Sequence, residues 1–308
     1  MAVIEIEGLV KEYRRLRGGR TVAVDRLDLS VPEGGVFGFL GPNGAGKTTT
    51  IRCLLGLVRP TGGTCRILGV DAGKDLSRVI RRVGAIVETP ALFPRFSGRR
   101  NLELLGRLHG IGPKAVQDVL ERVDLAERAD HVVRTYSLGM KQRLGIGAAL
   151  LKDPELLILD EPANGLDPAG IKEVRDLIRR LGDEGRTVFL SSHILTEIQH
   201  SADRVAILAG GRSVAAGPVA EVLSAGRAQG VLVRVRDPAG GMGALHEAGF
   251  EAALRDHVIR VTHPSADADR VSRALADRGF YPMELRPDEA DLETVFLELT
   301  SGAGKEKR

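Results

Sequence analysis

The amino-acid sequence predicts an α/β fold with a mostly parallel central sheet, on the evidence of two patterns. Continuous apolar runs, such as residues 36–40 and 156–159, are typical of strands buried on both faces of a sheet. Apolar residues at helical spacing lie between such runs, as in Val174, Leu177, Ile178 and Leu181. Strands that alternate with helices favour parallel pairing, with helices on both sides of the sheet.

The first third of the chain predicts edge strands and then the first buried strand. Apolar residues alternate with polar ones near residues 3–6 and again near 27–29, as they do in strands at a sheet edge. The apolar run at 36–40 ends at a glycine-rich loop, and residues 48–57 then predict a helix. Short strands and turns are expected over residues 63–88.

The middle of the chain predicts a helical subdomain over about residues 97–150. Apolar residues recur there at near-helical spacing, at Leu102, Leu105, Leu108, Val116, Val119, Leu120 and Val123. Two short apolar strands, at 156–159 and 188–190, then return the chain to the central sheet.

A linker is predicted in the run SAGRAQG at residues 224–230, which would end a first domain of residues 1–225. Beyond it we expect a small α+β module over residues 230–302. Its order of strand, helix, two weak strands, helix and strand is typical of a split βαβ unit. Residues 303–308 are expected to form a flexible tail.

The composition is that of a globular protein and favours some function classes over others. The chain has 308 residues, 43% apolar and 28% charged, with a net charge of only +3. Aromatic residues make up 4% and tryptophan is absent, so we expect no nucleic-acid partner. Cys53 and Cys65 lack metal-ligand spacing, which indicates a reduced, intracellular protein. The N-terminus is too polar for a signal peptide, and no apolar run is long enough to span a bilayer.

A phosphate-binding loop is predicted at residues 41–48, where GPNGAGKT follows a buried strand and precedes a helix. Glycines allow several backbone N–H groups to point at a phosphate, while Lys47 neutralises it and the Thr48 hydroxyl can bind Mg²⁺. A glycine-rich turn without a ligand is the alternative. The expected nucleotide-binding residues are Gly41, Asn43, Gly44, Ala45, Gly46, Lys47, Thr48 and Thr49.

Two carboxylates follow the buried strand at 156–159. Since ligands of parallel sheets bind at the carboxyl ends of strands, Asp160 is a candidate Mg²⁺ ligand and Glu161 a candidate to polarise the attacking water. Such a pair alone could also be a solvated helix cap. Beside a phosphate loop, the two acids complete a site for a nucleotide and its metal.

Five further features accompany these motifs: Tyr13, Glu88, the run YSLGMKQRLGIGAALL from Tyr136, the loop at 164–167, and His193. Together the motifs of residues 2–225 resemble the ATP-binding cassette (ABC) ATPases. The resemblance implies a P-loop NTPase fold of ABC type, with an antiparallel β subdomain and a helical subdomain beside the sheet. It also implies ATP hydrolysis to ADP and phosphate, with ATP and Mg²⁺ as cofactors and with Lys47, Glu161 and His193 as catalytic residues.

The resemblance assigns roles to four of these residues. Tyr13 would stack on adenine, and His193 would contact the γ-phosphate and position the water. Ser137 and Gly139 of the signature would contact the nucleotide of the opposite subunit, although Leu138 and Met140 depart from the usual residues. Alternatives stay open: Tyr13 as a packing residue, His193 as a surface residue, and Ser137 as an ordinary helix cap.

Glu88 stands where the family usually has glutamine. A carboxylate there adds negative charge near Mg²⁺ and could bind the metal directly. With the signature and the run TPALFP that follows it, Glu88 resembles bacterial exporters of peptide antibiotics and other drugs. A solvated loop residue is the alternative.

The resemblance also implies partners. Two copies, or one copy and a paralogous cassette, would enclose two nucleotides. A polytopic membrane permease would dock on residues 97–125, a surface made basic by Arg95, Arg99, Arg100 and Arg107, unless these form a solvated face. The chain would then lie peripherally on the cytoplasmic face of the membrane. The C-terminal module is interpreted as a dimer-supporting or regulatory extension.

Two rival functions use the same motifs. A non-transport ABC ATPase would act on ribosomes or DNA, but such relatives usually carry two cassettes or long insertions. A binding module would hold ATP without hydrolysing it, and the presence of Glu161 and His193 argues against that.

Overall fold

The computed structural model describes residues 2–14, 18–225, 230–262, 267–287 and 296. They form two compact units, the first extending to Val219 and the second beginning at Ala220. Residues 226–229 of the predicted linker and the predicted tail at 303–308 lie outside the described residues. The predicted domain bounds therefore stay predictions.

The first unit contains two sheets and the helices that pack on them. Its strands are β1 (Ala2–Arg14), β2 (Arg20–Pro32), β3 (Gly35–Leu40), β4 (Gly62–Ile67), β5 (Val70–Asp71), β6 (Val83–Ile86), β7 (Leu156–Asp160), β8 (Thr187–Ser192), β9 (Arg204–Ala209) and β10 (Arg212–Pro218). Its helices are α1 (Lys47–Leu54), α2 (Gly98–Leu108), α3 (Pro113–Arg122), α4 (Leu138–Leu150), α5 (Pro168–Asp183) and α6 (Leu195–Ser201).

The central sheet has the order β10-β9-β3-β8-β7-β6, and all its pairs are parallel except β9 with β10. This confirms the predicted mostly parallel sheet. The two apolar runs at its centre form β3 and β7, whose apolar side chains are buried as such runs require. Phe39 of β3 packs against Phe189 of β8 with ring centroids 5.1 Å apart. The carboxyl ends of β3, β7 and β8 consequently meet at one edge.

The second sheet, β2-β1-β4-β5, is antiparallel and packs on α1, burying the alternating apolar residues of β1 and β2. The predicted helix at 48–57 is shorter than expected, because Gly56 takes a left-handed φ of 66°. The N–H of Leu57 then donates to the carbonyl of Arg52 at 2.9 Å, which closes the helix end.

The helical region holds α2, α3 and α4. Ser97 caps α2 by accepting a hydrogen bond from the N–H of Arg100 at 3.1 Å, so the helix begins there. Leu102 is fully buried, whereas Leu108 in the last turn of the same helix is 77% exposed. The apolar spacing predicted the helix but does not report the burial of each residue in it. Among the described residues, no helix has the length and apolar character needed to cross a membrane.

The second unit contains all of α7 (Val219–Ala225) except its first residue, followed by a small α+β module. The module's elements are β11 (Val231–Arg234), α8 (Pro238–Glu247), β12 (Ala252–Arg255), β13 (Val258–Val261), α9 (Ala268–Ala276) and β14 (Glu284–Pro287). The sheet order is β12-β13-β11-β14, and every pair is antiparallel. Valines of β11 and isoleucine and valine of β13 pack against α8 and α9, which is the predicted βαββαβ arrangement.

Candidate active site

The loop between β3 and α1 has the backbone conformation that phosphate binding requires. Gly44 and Gly46 take left-handed φ values of 82° and 107°. A Cβ atom on Gly46 would lie 2.5 Å from the carbonyl oxygen of Ala23, so only glycine fits beside β2. The loop thus passes close to β2 immediately before α1 begins.

A cavity of about 320 Å³ opens beside this loop. Its lining combines the loop and the start of α1 with three residues of β2 and two that follow β7: Thr21, Val22, Ala23, Asn43, Gly44, Gly46, Lys47, Thr48, Thr49, Glu161 and Asn164. Six of the predicted phosphate-loop residues line the cavity directly. Gly41 and Ala45 are buried beneath it.

Lys47 is the buried cation of the site, with 5% of its side chain exposed. Its Nζ donates to the carbonyl of Gly41 at 2.6 Å and lies 3.0 Å from Oε1 of Glu161. Burial of an ammonium is costly unless opposite charge and acceptors surround it. Lys47 is therefore oriented toward the loop in advance of any ligand.

The two acids at the carboxyl end of β7 are both bonded to Ser191, through different groups. Asp160 is 3% exposed, and its Oδ1 accepts a hydrogen bond from the hydroxyl of Ser191 at 2.5 Å. Glu161 has a positive φ of 50°, and its N–H donates to the carbonyl and hydroxyl oxygens of Ser191, each at 3.1 Å. A non-glycine residue in the left-handed region is strained, and such strain is concentrated at functional sites.

His193 lies against Glu161. Its Nδ1 is 2.6 Å from Oε2 of Glu161, and its backbone N–H donates to the same oxygen at 3.3 Å. Glu161 thus bridges Lys47 through one oxygen and His193 through the other. Lys47, Glu161 and His193 thus form one polar chain beside the cavity, although the first and the last are more than 140 positions apart in the sequence.

Sequence reasoning missed Ser191, which binds the carboxylate of Asp160 and the backbone N–H of Glu161. A polar residue at the end of an otherwise apolar strand was the available signal. Its partners could not be inferred without knowing that β7 and β8 are neighbours in parallel register.

Tyr13 lies on β1 directly opposite Thr21 of β2, which lines the cavity. Its ring is 39% exposed, and Nζ of Lys11 lies 5.0 Å from the ring centroid. Tyr13 does not itself line the cavity, but it stands at the edge of the strand pair that does. An aromatic ring in this place could extend the site toward a flat ligand group.

Glu88 is placed outside the cavity. It follows β6 with a positive φ of 67°, and its carboxylate is 64% exposed and pairs with the guanidinium of Arg52 on α1. The structure therefore does not bring Glu88 together with the other candidate metal ligands, Thr48 and Asp160.

The signature residues also lie outside the cavity of their own chain. Ser137 is exposed and caps α4 by accepting a hydrogen bond from the N–H of Met140 at 3.1 Å. A Cβ atom on Gly139 would lie 3.5 Å from Cα of Gly170, so α4 and α5 pack closely at their N-terminal ends. The loop at 164–167 connects the cavity with the signature, since Asn164 lines the cavity while Gly165 lies beside Leu138 at the start of α4.

The donor set fits a nucleoside triphosphate and its metal. The left-handed glycines, the N-terminus of α1 and Lys47 suit phosphate oxygens. Among the described residues no group of three or more acids, histidines or cysteines is placed to hold a metal ion. Mg²⁺ is commonly bound by one or two protein oxygens together with substrate phosphates and water, and Thr48 and Asp160 can supply those oxygens.

Comparisons with known proteins agree with this geometry. A family model described as ABC transporter matches residues 24–164. The "Bacitracin transport ATP-binding protein BcrA" of Enterococcus faecalis is 38% identical, covering 98% of this chain and 97% of the relative. The "Daunorubicin/doxorubicin resistance ATP-binding protein DrrA" of Streptomyces peucetius is also 38% identical, covering 96% of this chain and 92% of the relative. The solved structure of cbiO1 from Clostridium perfringens, described as part of the ABC transporter complex cbiONQ, is similar with a TM-score of 0.64 at 26% identity, covering 72% of this chain and 91% of that one.

Proposed function

From the premise that the chain belongs to the ABC transporter family and is an ATPase, we propose that it drives the export of a drug or peptide antibiotic through a separate membrane permease. The observation that carries the catalytic part is the chain of contacts from Lys47 through Glu161 to His193 beside the phosphate loop. The similarity to transport and resistance proteins over nearly the whole chain, the C-terminal module included, supports the export part.

The contacts of Glu161 suggest how ATP binding could free its carboxylate from Lys47. In this structure Lys47 lies 3.0 Å from Glu161 and neutralises it. A triphosphate on the loop attracts the ammonium more strongly, which leaves Glu161 free to accept a proton from water. The water oxygen then bonds to the γ-phosphorus as the bond to the ADP oxygen breaks and ADP leaves, and in this proposal His193 holds the water and the phosphoryl group that is transferred to it.

Thr48 and Asp160 would hold Mg²⁺, which when bound neutralises charge on the phosphate oxygens. Glu88 joins this set in our proposal only if it leaves Arg52, with which it pairs in the structure. The ion pair would then compete with the metal for Glu88, a competition that glutamine at this position could not produce.

Ser137 and Gly139 serve the nucleotide of a second cassette in this proposal. Their position outside their own chain's cavity, with Ser137 exposed at the start of α4, supports this division of labour. The C-terminal module would stabilise or regulate this dimer.

We further propose that the permease docks in a groove of about 370 Å³ beside α2 and α4. The groove is lined by β6, by the segment after it, by apolar and small residues of both helices, and by His109 and Lys152. Phe93 and Phe96 are 53% and 42% exposed nearby. Arg99 and Arg100 already pair with Asp130 and Glu103, so the apolar groove outweighs the expected basic surface as a docking feature.

The test is capture of the chain's partner in the locked state. Glu161→Gln protein with Mg-ATP would be used to recover partners from gently solubilised cells of the source organism, with Lys47→Ala as the matched control that cannot hold the phosphates. We expect a polytopic membrane protein with the first variant only. Recovery of ribosomes or DNA-repair proteins without a membrane protein would contradict export and favour the non-transport alternative.

A further inference from the structure

A buried carboxyl group lies directly behind His193 and was not singled out by its sequence. Glu197 belongs to the first turn of α6 and is 7% exposed. Its Oε2 accepts a hydrogen bond from the hydroxyl of Ser192 at 2.9 Å, while its Oε1 has no hydrogen-bond partner among the described residues. Burying a carboxyl that is only half satisfied costs free energy, so the fold retains it against a penalty.

Ser192 connects this carboxyl to the turn that carries His193. Besides donating to Glu197, its hydroxyl accepts a hydrogen bond from the N–H of Ile194 at 2.9 Å. The residues before and after His193 are therefore held by the same oxygen. Ser191, one residue earlier, is held by Asp160 and Glu161.

Helix α6 gives Glu197 a rigid base. A Cβ atom on Gly38 of β3 would lie 2.5 Å from Cγ2 of Ile198, so the helix packs directly on the central sheet. The hydroxyl of Ser201 also donates to the carbonyl of Glu197 at 2.6 Å. Glu197 cannot follow a movement of the turn without breaking these contacts.

We propose that Glu197 is a positioning residue for ATP hydrolysis, which holds His193 in line with Glu161 by accepting the hydrogen bond of Ser192. This rests on the proposed catalytic roles of Glu161 and His193. His193 is half-buried, and its backbone N–H and its Nδ1 both reach Oε2 of Glu161, at 3.3 and 2.6 Å, so a small displacement of the turn disturbs both contacts. Misplacing a catalytic group by about 1 Å can lower a rate by about a hundredfold.

The charges around Glu197 are compatible with this task. Burial raises the pKa of its carboxyl, the Ser192 hydrogen bond lowers it, and the charges of Glu161, His193 and Arg175 act with smaller and opposing effects. One oxygen of the carboxyl accepts the Ser192 hydrogen bond, and the oxygen of an amide could do the same.

Steady-state ATPase kinetics of four variants test the proposal. Glu197→Ala and Ser192→Ala should each lower kcat by about ten- to a hundredfold and leave KM within about twofold, because binding does not use this contact. The double variant should be no slower than either single one, since both remove the same hydrogen bond. Glu197→Gln should restore most of kcat. Thr196→Ala, an exposed neighbour on the same helix, is the matched control and should be unchanged.

Near-normal kcat in Glu197→Ala and Ser192→Ala would overturn the proposal, and so would multiplicative losses in the double variant or failure of Glu197→Gln to restore kcat. If Glu197→Ala does not fold, Ser192→Ala and Glu197→Gln still decide. Glu161→Gln is measured in the same series: if it keeps normal kcat, the proposed role of Glu161 fails. If it loses activity while Ser192→Ala does not, only the positioning role fails.

Discussion

The phosphate loop and the signature at the start of α4 differ in how many contacts with other candidate site residues each makes within one chain. At the phosphate loop, Glu161 contacts both Lys47 and His193, and Lys47 and Glu161 line a cavity. At the start of α4, Ser137 is exposed and caps only its own helix. This difference fits our proposal that one chain supplies the groups that bind phosphate and activate water, while its signature serves the nucleotide of a second cassette. The predictions below test this division, from the largest expected effect to the smallest.

Replacing Glu161, the proposed base beside the phosphate loop, should have the largest effect. Glu161→Gln keeps the size of the side chain but cannot accept the proton of water, so we expect hydrolysis to fall by about 10² to 10⁴-fold. Nucleotide binding should remain, because Lys47 is no longer neutralised by a carboxylate. Phosphate release and binding of a fluorescent ATP analogue measure the two separately. Loss of both together would show that Glu161 is needed for the structure of the site instead.

Glu88→Gln should have a moderate effect, since it removes a candidate metal ligand that is exposed and paired with Arg52. We expect the Mg²⁺ concentration for half-maximal activity to rise by about two- to fivefold, as a surface charge interaction of up to about 1 kcal/mol would produce. Arg52→Gln is the paired variant, which frees Glu88 from its ion pair and should shift this concentration in the opposite direction. Unchanged Mg²⁺ dependence in both variants would leave Glu88 as a solvated loop residue.

The smallest effect concerns stability and pH. The pKa of Glu197 is raised in the folded chain, so the folded state binds its proton more tightly than the unfolded state does. The contribution of Glu197 to the free energy of unfolding must then fall as the pH rises above the ordinary carboxyl value of 4.5. Urea unfolding at pH 5 and pH 8 should show a smaller pH-dependent loss for Glu197→Gln than for the parent chain. An equal loss in both would contradict a raised pKa.

Sequence patterns predicted the central sheet because burial on both faces requires continuous apolar strands, as in β3 and β7. They predicted the phosphate loop because its glycine conformations are local. They did not predict that Leu108 is exposed or that Glu88 pairs with Arg52, since both depend on how distant elements pack. Ser191 and Glu197 were missed for the same reason: their partners lie on other strands or across a turn.

Mixing two inactive variants tests most directly whether the signature of one chain serves the nucleotide on the phosphate loop of another. Lys47→Ala disables the phosphate loop, and Ser137→Ala disables the signature hydroxyl. In a mixed dimer one composite site is intact if the signature serves the partner's nucleotide, so random pairing should restore about a quarter of normal ATPase activity. The purified variants would be assayed separately and in an equal mixture. Activity of the mixture equal to the average of the separate variants would contradict the account, because it would mean that each chain completes its own site.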